Sequence, residues 1–363
     1  MPSQHDRDLL RRLAGRVREI ADDPTMPQRR QTWKDLNELR SKRPMVVTFP
    51  EGAWREMLTP ADLECEDPSL HGIEMNLRQT IYWWDRARDD KAIDPWFSMR
   101  WVVTNDGFGV DVPQIRSEEL GAYTWDPPIK DMARDFPKLR PRNWTVDREA
   151  TARNIERIDD LFGDLLPPRI RGKGWWSLGM TADAARLIGL ENLMLWMFDQ
   201  PDDLHRLMAY LRDDNMQTLD FYESENLLGP GDCAEYNGSG GLAYTDELPQ
   251  ADWNEGDPVR LIDLWGFSES QETVGVGPDQ FAEFILPYQV PLMERFGLNY
   301  YGCCEPVDSR FDLLKAHVPR LRALSVSRSP YLLVLSRSAT PVAEDLTRLI
   351  STLVLIGLLI LVT

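Results

Sequence analysis

Short apolar runs alternate with long amphipathic stretches along most of this chain, and this alternation constrains the fold more than any other feature. The apolar runs have the length of β-strands and occupy residues 45–50, 96–103, 169–177, 232–236, 261–267, 298–304 and 321–327. The amphipathic stretches have the three- and four-residue spacing of helices and occupy residues 184–198, 201–225 and 278–296. Alternating strands and helices form parallel βαβ units, so the sequence predicts an α/β fold. Their number favours a (β/α)₈ TIM barrel over the alternative, an open doubly wound sheet.

The sequence predicts three regions. Residues 1–40 are expected to form an N-terminal helical extension, because their apolar residues recur at helical spacing among charged ones. Residues 41–338 are expected to hold the barrel, with an irregular insertion over 105–164. Residues 339–363 form an apolar C-terminal tail, and the short gap before residue 331 leaves no room for a parallel crossover. We therefore expect the closure of the barrel to be atypical.

The C-terminal tail and the cysteine content indicate the cellular location of the protein. The last 15 residues carry no charge, but a membrane-spanning helix needs about 20 apolar residues. A buried terminal segment and an aberrant end are therefore alternatives to a membrane anchor. The N-terminus lacks the pattern of a secretory signal, and four cysteines are too few and too unevenly spaced for a disulfide framework. We expect a cytoplasmic protein rather than a membrane protein.

The charge balance narrows the class of partner. The chain has 41 basic and 59 acidic residues, which gives a net charge of −18. Nucleic acids and anionic membranes are bound through Lys and Arg with release of counterions, so this balance argues against both as main partners. A small-molecule substrate or a protein partner is expected instead.

Two of the four cysteines lie side by side in Cys303-Cys304-Glu305, at the end of predicted strand 298–304. The carboxyl ends of barrel strands carry the active site, and a thiolate is both a nucleophile and a zinc ligand. Because neighbouring residues on a strand point in opposite directions, Cys303 and Glu305 are predicted to share a face. We assign both to a catalytic and metal-binding site. The alternative is a packed cysteine and a glutamate that caps the next helix.

A glycine-rich loop at 238–241 precedes a run of polar residues that ends at Pro249. Such a loop lets backbone amides approach a ligand, and it lacks the Gly-Lys-Ser/Thr of a phosphate-binding loop. We predict that Asp246 belongs to the catalytic set and that Tyr244 and Glu247 contact the substrate. A flexible connection is the alternative.

Three further residues are candidate substrate contacts. Asn105 and Phe108 lie in an Asn-Asp-Gly-Phe-Gly segment after a predicted strand, although Asn-Asp-Gly is also an ordinary turn signal. Trp176 belongs to one of the adjacent pairs among 13 tryptophans. Such large flat side chains line cavities as well as fill cores, so Trp176 is a candidate for a cavity wall.

These motifs together resemble the uroporphyrinogen decarboxylase-like superfamily. The resemblance lies in residues 298–306, 244–249 and 105–109, and it extends over most of residues 40–327. It is stronger for a bacterial branch related to cobalamin-dependent methyltransferases. The resemblance implies a (β/α)₈ barrel with its site at the carboxyl ends of the strands.

The resemblance also implies an enzyme that transfers a methyl group to or from a corrinoid on a partner protein, with zinc or a thiolate at the site. Related methyltransferases bind zinc through a His-x-Cys pair and a distant cysteine. Cys303 matches the cysteine of that pair, Tyr301 stands at the histidine position, and no later cysteine follows Cys304. Glu305 is then the candidate oxygen ligand, and Tyr301 becomes a candidate substrate contact.

Two alternatives remain open. Decarboxylation of a tetrapyrrole or a smaller acid needs clustered basic residues, but residues 48–52 replace the family's arginine-bearing motif. Arg55, Arg78, Arg100 and Arg169 are scattered candidates. An inactive, ligand-binding barrel is the other alternative, and the missing histidine and the apolar tail favour it.

Overall fold

A computed structural model of the chain describes residues 2–116, 123–171, 177–231 and 233–325, together with 327–328 and 331–332. Within these residues the α-helices are α1 (Gln4–Ala21), α2 (Met26–Asn37), α3 (Trp54–Met57), α4 (His71–Arg86), α5 (Met132–Asp135), α6 (Arg148–Phe162), α7 (Thr181–Ile188), α8 (Leu190–Asp199), α9 (Pro201–Ser224), α10 (Pro278–Phe284), α11 (Leu286–Met293) and α12 (Phe311–His317). The β-strands are β1 (Phe97–Met99), β2 (Val102–Asn105), β3 (Gln114–Arg116), β4 (Tyr123–Trp125), β5 (Trp144–Asp147), β6 (Pro168–Ile170), β7 (Trp265–Ser268), β8 (Leu298–Tyr301), β9 (Leu321–Leu324), β10 (Ser327–Arg328) and β11 (Tyr331–Leu332).

The strands form several small sheets. β7, β8 and β9 form a three-stranded sheet in that order, and β8 pairs with β9 in parallel. β1 pairs with β6 in parallel, whereas β2–β5, β3–β4 and β10–β11 are antiparallel pairs. The structure is therefore a mixture of helices and small sheets, which agrees with the predicted α/β class. The sheets of the described residues do not close into a barrel.

The chain divides into two compact units. The first contains Met1–Asp111, Lys138–Gly174 and Met216–Trp265, and the second contains Val112–Pro137, Trp175–Asn215 and Gly266–Thr363. The predicted N-terminal extension, residues 1–40, lies in the first unit, where it contributes to the core.

The core of the first unit is built on α1. The Ser3 hydroxyl accepts a hydrogen bond from the Asp6 amide at 3.2 Å, which caps the start of the helix. Leu9, Leu10 and other apolar residues on one face of α1 are buried in a cluster with residues of α4 and α6. The helical periodicity of the first forty residues therefore marks a packed face.

The sheet of β7, β8 and β9 lies mainly in the second unit and carries the candidate site. All residues of β7 and β8 are buried. β8 and β9 are parallel neighbours joined through α12, so they form a βαβ unit.

Predicted strand 96–103 is divided into β1 and β2, which pair with different strands, and residues 261–263 form a 3₁₀-helix before β7. Two other predicted strands do not form. Residues 45–50 have no regular structure, because the backbone amides of Val46 and Thr48 donate to the side chains of Asp90 and Asp89, at 2.9 and 2.6 Å. Within 233–236, the described part of predicted strand 232–236, the only pairing is one antiparallel bridge between Tyr236 and Leu242. Both runs were short, and short apolar runs do not by themselves distinguish strands from other buried segments.

Two predicted helices are each divided in two. The predicted helix 184–198 is broken at Gly189, whose φ of +92° ends α7 and precedes α8. The predicted helix 278–296 is divided at Ile285, and the proline that follows Leu286 lies in the first turn of α11. The third predicted helix, 201–225, is the single helix α9.

Two further predictions concern the C-terminal tail and the absence of a membrane-spanning helix. The predicted apolar tail, 339–363, lies outside the described residues. Among the helices that are described, none combines the length and the apolar character needed to cross a bilayer.

The packing of α1 leads to a stability prediction. Leu10 is fully buried in the apolar cluster that α1 forms with α4 and α6, whereas Leu13 on the same helix is only partly buried. Leu10→Ala should lower the free energy of unfolding by about 2–5 kcal/mol, because it removes a packed side chain and leaves a cavity. Urea unfolding of the wild type, Leu10→Ala and Leu13→Ala measures the effect. Equal losses in the two variants would contradict the assigned packing.

Candidate functional site at the ends of β7 and β8

The carboxyl ends of β7 and β8 lie side by side. The amide of Gly302, directly after β8, donates a hydrogen bond of 2.8 Å to the carbonyl of Ser268, the last residue of β7. Glu269 and Ser270 follow β7, and the cysteine pair follows β8. This edge therefore brings together polar side chains from two neighbouring strands.

Gly302 turns the chain at the end of β8. Its φ is +96°, and a Cβ atom added there would lie 3.0 Å from the carbonyl oxygen of Ser325. The alternation of side chains expected along a strand stops at this turn. As a result the sulfurs of Cys303 and Cys304 lie 3.6 Å apart, with Cys304 exposed and Cys303 half-buried.

Glu305 connects the two strand ends. Its carboxylate is fully buried and accepts hydrogen bonds from the backbone amides of Ser270, at 2.8 Å, and Cys303, at 2.9 Å. Each carboxylate oxygen therefore already has a backbone donor. This arrangement explains why the sequence places a carboxylate after the cysteines, and it gives Glu305 a positioning role.

The environment of Cys303 favours a protonated thiol. Burial raises the pKa of Cys303 to about 12, and contact with the Cys304 sulfur and the charge of nearby carboxylates act in the same direction. In the absence of a cation, Cys303 is therefore a thiol at neutral pH. A bound cation would favour the thiolate instead.

Glu269 is the site residue that the sequence analysis missed. Its carboxyl group accepts hydrogen bonds of 2.7 Å from the Ser177 hydroxyl and from the Gln271 amide. Burial raises the pKa of Glu269 to about 7, and the charge of Glu272 adds to the shift. A carboxyl group that titrates near neutral pH is suited to general acid–base catalysis. The one sequence feature that points to Glu269 as a site residue is its position two residues after predicted strand 261–267.

The backbone around Glu269 is tightly packed. A Cβ atom added at Gly179 would lie 2.1 Å from the carbonyl oxygen of Glu269, so only glycine fits there. The buried amide of Gln289 donates to the carbonyls of both Gly179 and Glu269, at 2.9 and 2.8 Å. The position of Glu269 is thus fixed by its backbone as well as by its side chain.

Tyr301 and Arg310 complete a buried polar network. Tyr301 is fully buried, and its hydroxyl donates to the Gln289 side chain at 2.8 Å. Burial raises the pKa of Tyr301, so its hydroxyl stays protonated. The guanidinium of Arg310 is also buried and donates to the Ser270 hydroxyl at 2.9 Å. Tyr301, predicted as a substrate contact, therefore has protein partners that hold it in place.

The predicted residues of the glycine-rich loop lie in the first unit. The Tyr244 hydroxyl donates to Asp94 at 2.7 Å, and burial raises the pKa of Tyr244. Asp246 is exposed and forms an ion pair with Lys34 of α2. Glu247 is exposed, and its amide donates to the Thr245 hydroxyl at 3.1 Å. The contacts of Tyr244 and Asp246 connect the loop to other segments of the first unit.

The other predicted contacts are placed as follows. Asn105 ends β2, and its side chain accepts a hydrogen bond from the Gly107 amide at 3.0 Å, which is a local turn contact. The guanidinium of Arg142 lies 4.9 Å from the ring centre of Phe108. Trp176 lies outside the described residues.

The side chains at the ends of β7 and β8 can be compared with the zinc site expected from the sequence. In the part of the chain that the structure describes, no three His, Cys, Asp or Glu side chains are grouped as metal ligands. Two thiols at 3.6 Å fit a soft divalent cation, whereas the carboxylate of Glu305 is occupied by backbone donors.

Comparison of the chain with protein-family models, curated proteins and solved structures finds no match. The resemblance to the uroporphyrinogen decarboxylase-like superfamily therefore stays a prediction that rests on the motifs.

The pKa of Glu269 leads to a prediction for the pH dependence of stability. This pKa is about 7 in the folded protein and 4.5 in the reference state, so the folded protein binds this proton more tightly. The free energy of unfolding should fall by about 3 kcal/mol as pH rises from 4.5 to 7, and it should change little above that range through this group.

Glu269→Gln should remove this decrease, since glutamine does not titrate. Urea unfolding at a series of pH values measures the difference between the variant and the wild type. Glu294→Gln, which removes an exposed carboxylate of the same unit, is the matched control. An unchanged slope in Glu269→Gln would show that Glu269 is already ionised well below pH 7.

Proposed function

We propose that this chain is a methyl-transfer enzyme of the uroporphyrinogen decarboxylase-like superfamily, with its reaction at the ends of β7 and β8. The observation that carries the proposal is the juxtaposition of two thiols and a carboxyl group of raised pKa at adjoining strand ends. The proposed fold is a (β/α)₈ barrel. The parallel pairs β1–β6 and β8–β9 support it, because parallel neighbours are its basic unit.

The proposed reaction transfers a methyl group between a corrinoid on a partner protein and a thiol acceptor. A methylated corrinoid would supply an electrophilic methyl group, and its cobalt–carbon bond would break with both electrons left on the corrinoid as the sulfur–carbon bond forms. A thiol acceptor loses its proton when its sulfur forms the new bond to carbon, so the site needs a proton acceptor. Glu269 would take this proton, because a base with a pKa near 7 is partly ionised at neutral pH.

The remaining residues would position these groups. Glu305 would hold the segments that carry Glu269 and Cys303 at a fixed separation through its two backbone contacts. Cys303 and Cys304 would hold zinc, which supplies positive charge that stabilises a thiolate. The acidic surface, with a net charge of −18, is compatible with a basic docking face on the corrinoid protein.

The four cysteines support a reducing, cytoplasmic setting. Cys65, Cys233, Cys303 and Cys304 are all free thiols. Stable disulfides belong to oxidising compartments, so free thiols in this number accord with the cytoplasm.

Methyl transfer can be tested with methylcobalamin and 2-mercaptoethanol. The wild type should demethylate methylcobalamin faster than the enzyme-free mixture, as measured from its visible absorbance. Glu269→Gln should lower the rate at least 100-fold, because general base catalysis contributes at least that factor. Glu294→Gln should match the wild type. A wild-type rate equal to the enzyme-free rate would count against methyl transfer.

A basic cluster in the first unit favours a second candidate function, binding and decarboxylation of a carboxylate-rich tetrapyrrole. The guanidinium carbons of Arg169 and Arg171 lie 4.4 and 5.5 Å from the ring centre of Trp96. Burial raises the pKa of Glu235, and the positive charges of Arg100 and Arg171 oppose that shift. Arginines and an aromatic ring suit an aromatic ligand with carboxylate groups.

Tetrapyrrole binding can be measured by quenching of tryptophan fluorescence with uroporphyrin. Arg100 is exposed at the end of β1, so Arg100→Ala should weaken binding several-fold, and added salt should reduce the difference. Arg153→Ala, which removes an exposed arginine from α6 of the same unit, is the control. Equal affinity in the two variants would argue against a role for the basic cluster.

A further inference from the structure

Helix α8 is apolar on two sides, and one of these sides is exposed. The first side is buried in the second unit through Leu193, Trp196 and Met197. The other side is open to solvent, since 45% of the surface of Leu195 and 71% of that of Phe198 is accessible. A helix that is apolar all round is normally buried all round. The residues that the structure describes therefore leave one apolar face of α8 without a cover.

The apolar side chains on this face form one continuous patch. Leu190, Met194 and Phe198 lie four residues apart, so they follow one another along a single stripe of the helix. Val274, which is exposed, joins the stripe from outside α8, because a Cβ atom added at the next residue, Gly275, would lie 3.9 Å from the Met194 sulfur. We call Leu190, Met194, Leu195, Phe198 and Val274 the α8 patch. A continuous exposed apolar patch is typical of a surface that binds another apolar segment.

We propose that the α8 patch is the docking surface for the terminal run of this same chain, residues 349–363. These 15 residues carry no charged side chain, so they too are driven out of water by the hydrophobic effect. The run is shorter than the about 20 residues that a bilayer-spanning helix requires. The inference goes beyond the proposed function, because no residue of the α8 patch belongs to the site at the ends of β7 and β8.

The terminal run is long enough to cover the α8 patch and to reach it. The stripe from Leu190 to Phe198 is about 12 Å long at the helical rise of 1.5 Å per residue, and a run of 15 residues spans about 22 Å even at that rise. About 17 residues connect Leu332, the end of β11, to the start of the run, and they span up to about 56 Å when extended. β11 and α8 lie in the same compact unit, and a unit of this size is roughly 40 Å across.

Charge favours the chain's own terminal run over a second copy or an anionic membrane. Glu191 and Asp199, the sequence neighbours of Leu190 and Phe198, are exposed, and Arg348 directly precedes the run. Docking of the run can bring this cation to those carboxylates, whereas a symmetric dimer would place the same carboxylates opposite each other. The net charge of −18 also opposes association with a second copy or an anionic bilayer. Connection within one chain further gives the run a high local concentration at the patch.

Thiol labelling of the full-length chain tests the proposal. Leu195→Cys places a thiol in the α8 patch, and mass spectrometry of the peptide that carries it follows its reaction with iodoacetamide. We expect this thiol to react at least tenfold more slowly with the native run than in a chain that also carries Leu355→Asp and Leu359→Asp, because burying unpaired charges on an apolar surface is unfavourable. Leu193→Cys, on the buried side of α8, should stay protected in both chains. Lys315→Cys, at an exposed position of α12, should react fast in both.

Equal labelling of Leu195→Cys with the native and the charged run, whether fast or slow, would overturn the proposal. Protection that increases with protein concentration, together with a dimer mass in sedimentation, would overturn it in favour of a second copy. Protection that appears only with phosphatidylcholine vesicles would overturn it in favour of a membrane surface. If the charged run unfolds the chain, Leu193→Cys becomes reactive, and Phe198→Glu with the native run then decides. Fast labelling of Leu195→Cys beside Phe198→Glu would support docking, and continued protection would overturn it.

Discussion

The hydrogen bonds that Glu305 accepts from two backbone amides are the contacts on which the arrangement of the site depends. One amide follows β7 and the other follows β8, so a single buried side chain joins the two strand ends. Burying a carboxylate is unfavourable unless its oxygens are hydrogen-bonded, and both oxygens here have donors. The positions of Glu269 and of the thiols both follow from this contact, since each lies within two residues of an amide that Glu305 holds.

Polar side chains, rather than apolar packing, fix the surroundings of that contact. Arg310 is buried but donates to the Ser270 hydroxyl and to the carbonyls of Thr273 and Val276, none of which is charged. Gln289 connects Tyr301 to the backbone of Glu269. A network in which each member has partners holds its groups in one geometry, and this rigidity lets a site bind or react without first reorganising.

The parts of the site that could be predicted from the sequence are those in which an apolar run has a single explanation, a buried strand. The apolar runs at 298–304 and 321–327 gave parallel neighbours, and the cysteines lie at a strand end as expected. Strand alternation failed beyond Gly302, because its positive φ turns the chain and brings neighbouring sulfurs together. The place of Glu269 after a strand could be predicted, but its raised pKa could not, because the burial that raises it arises from residues distant in sequence. The apolar run 45–50 predicts a strand that does not form, because its backbone amides bond to carboxylates some forty residues away.

The contacts of α2 with the glycine-rich loop have a consequence for how the chain folds during synthesis. The Asn37 side chain donates to the carbonyls of Leu242 and Tyr244, at 2.7 Å each, across more than 200 residues of sequence. During synthesis α2 leaves the ribosome before these acceptors, because they lie more than 200 residues later in the chain. Closing so long a loop carries an entropic cost that the other contacts of the first unit must offset. The two hydrogen bonds that bury the Asn37 side chain can therefore form only after residue 244 has been synthesised.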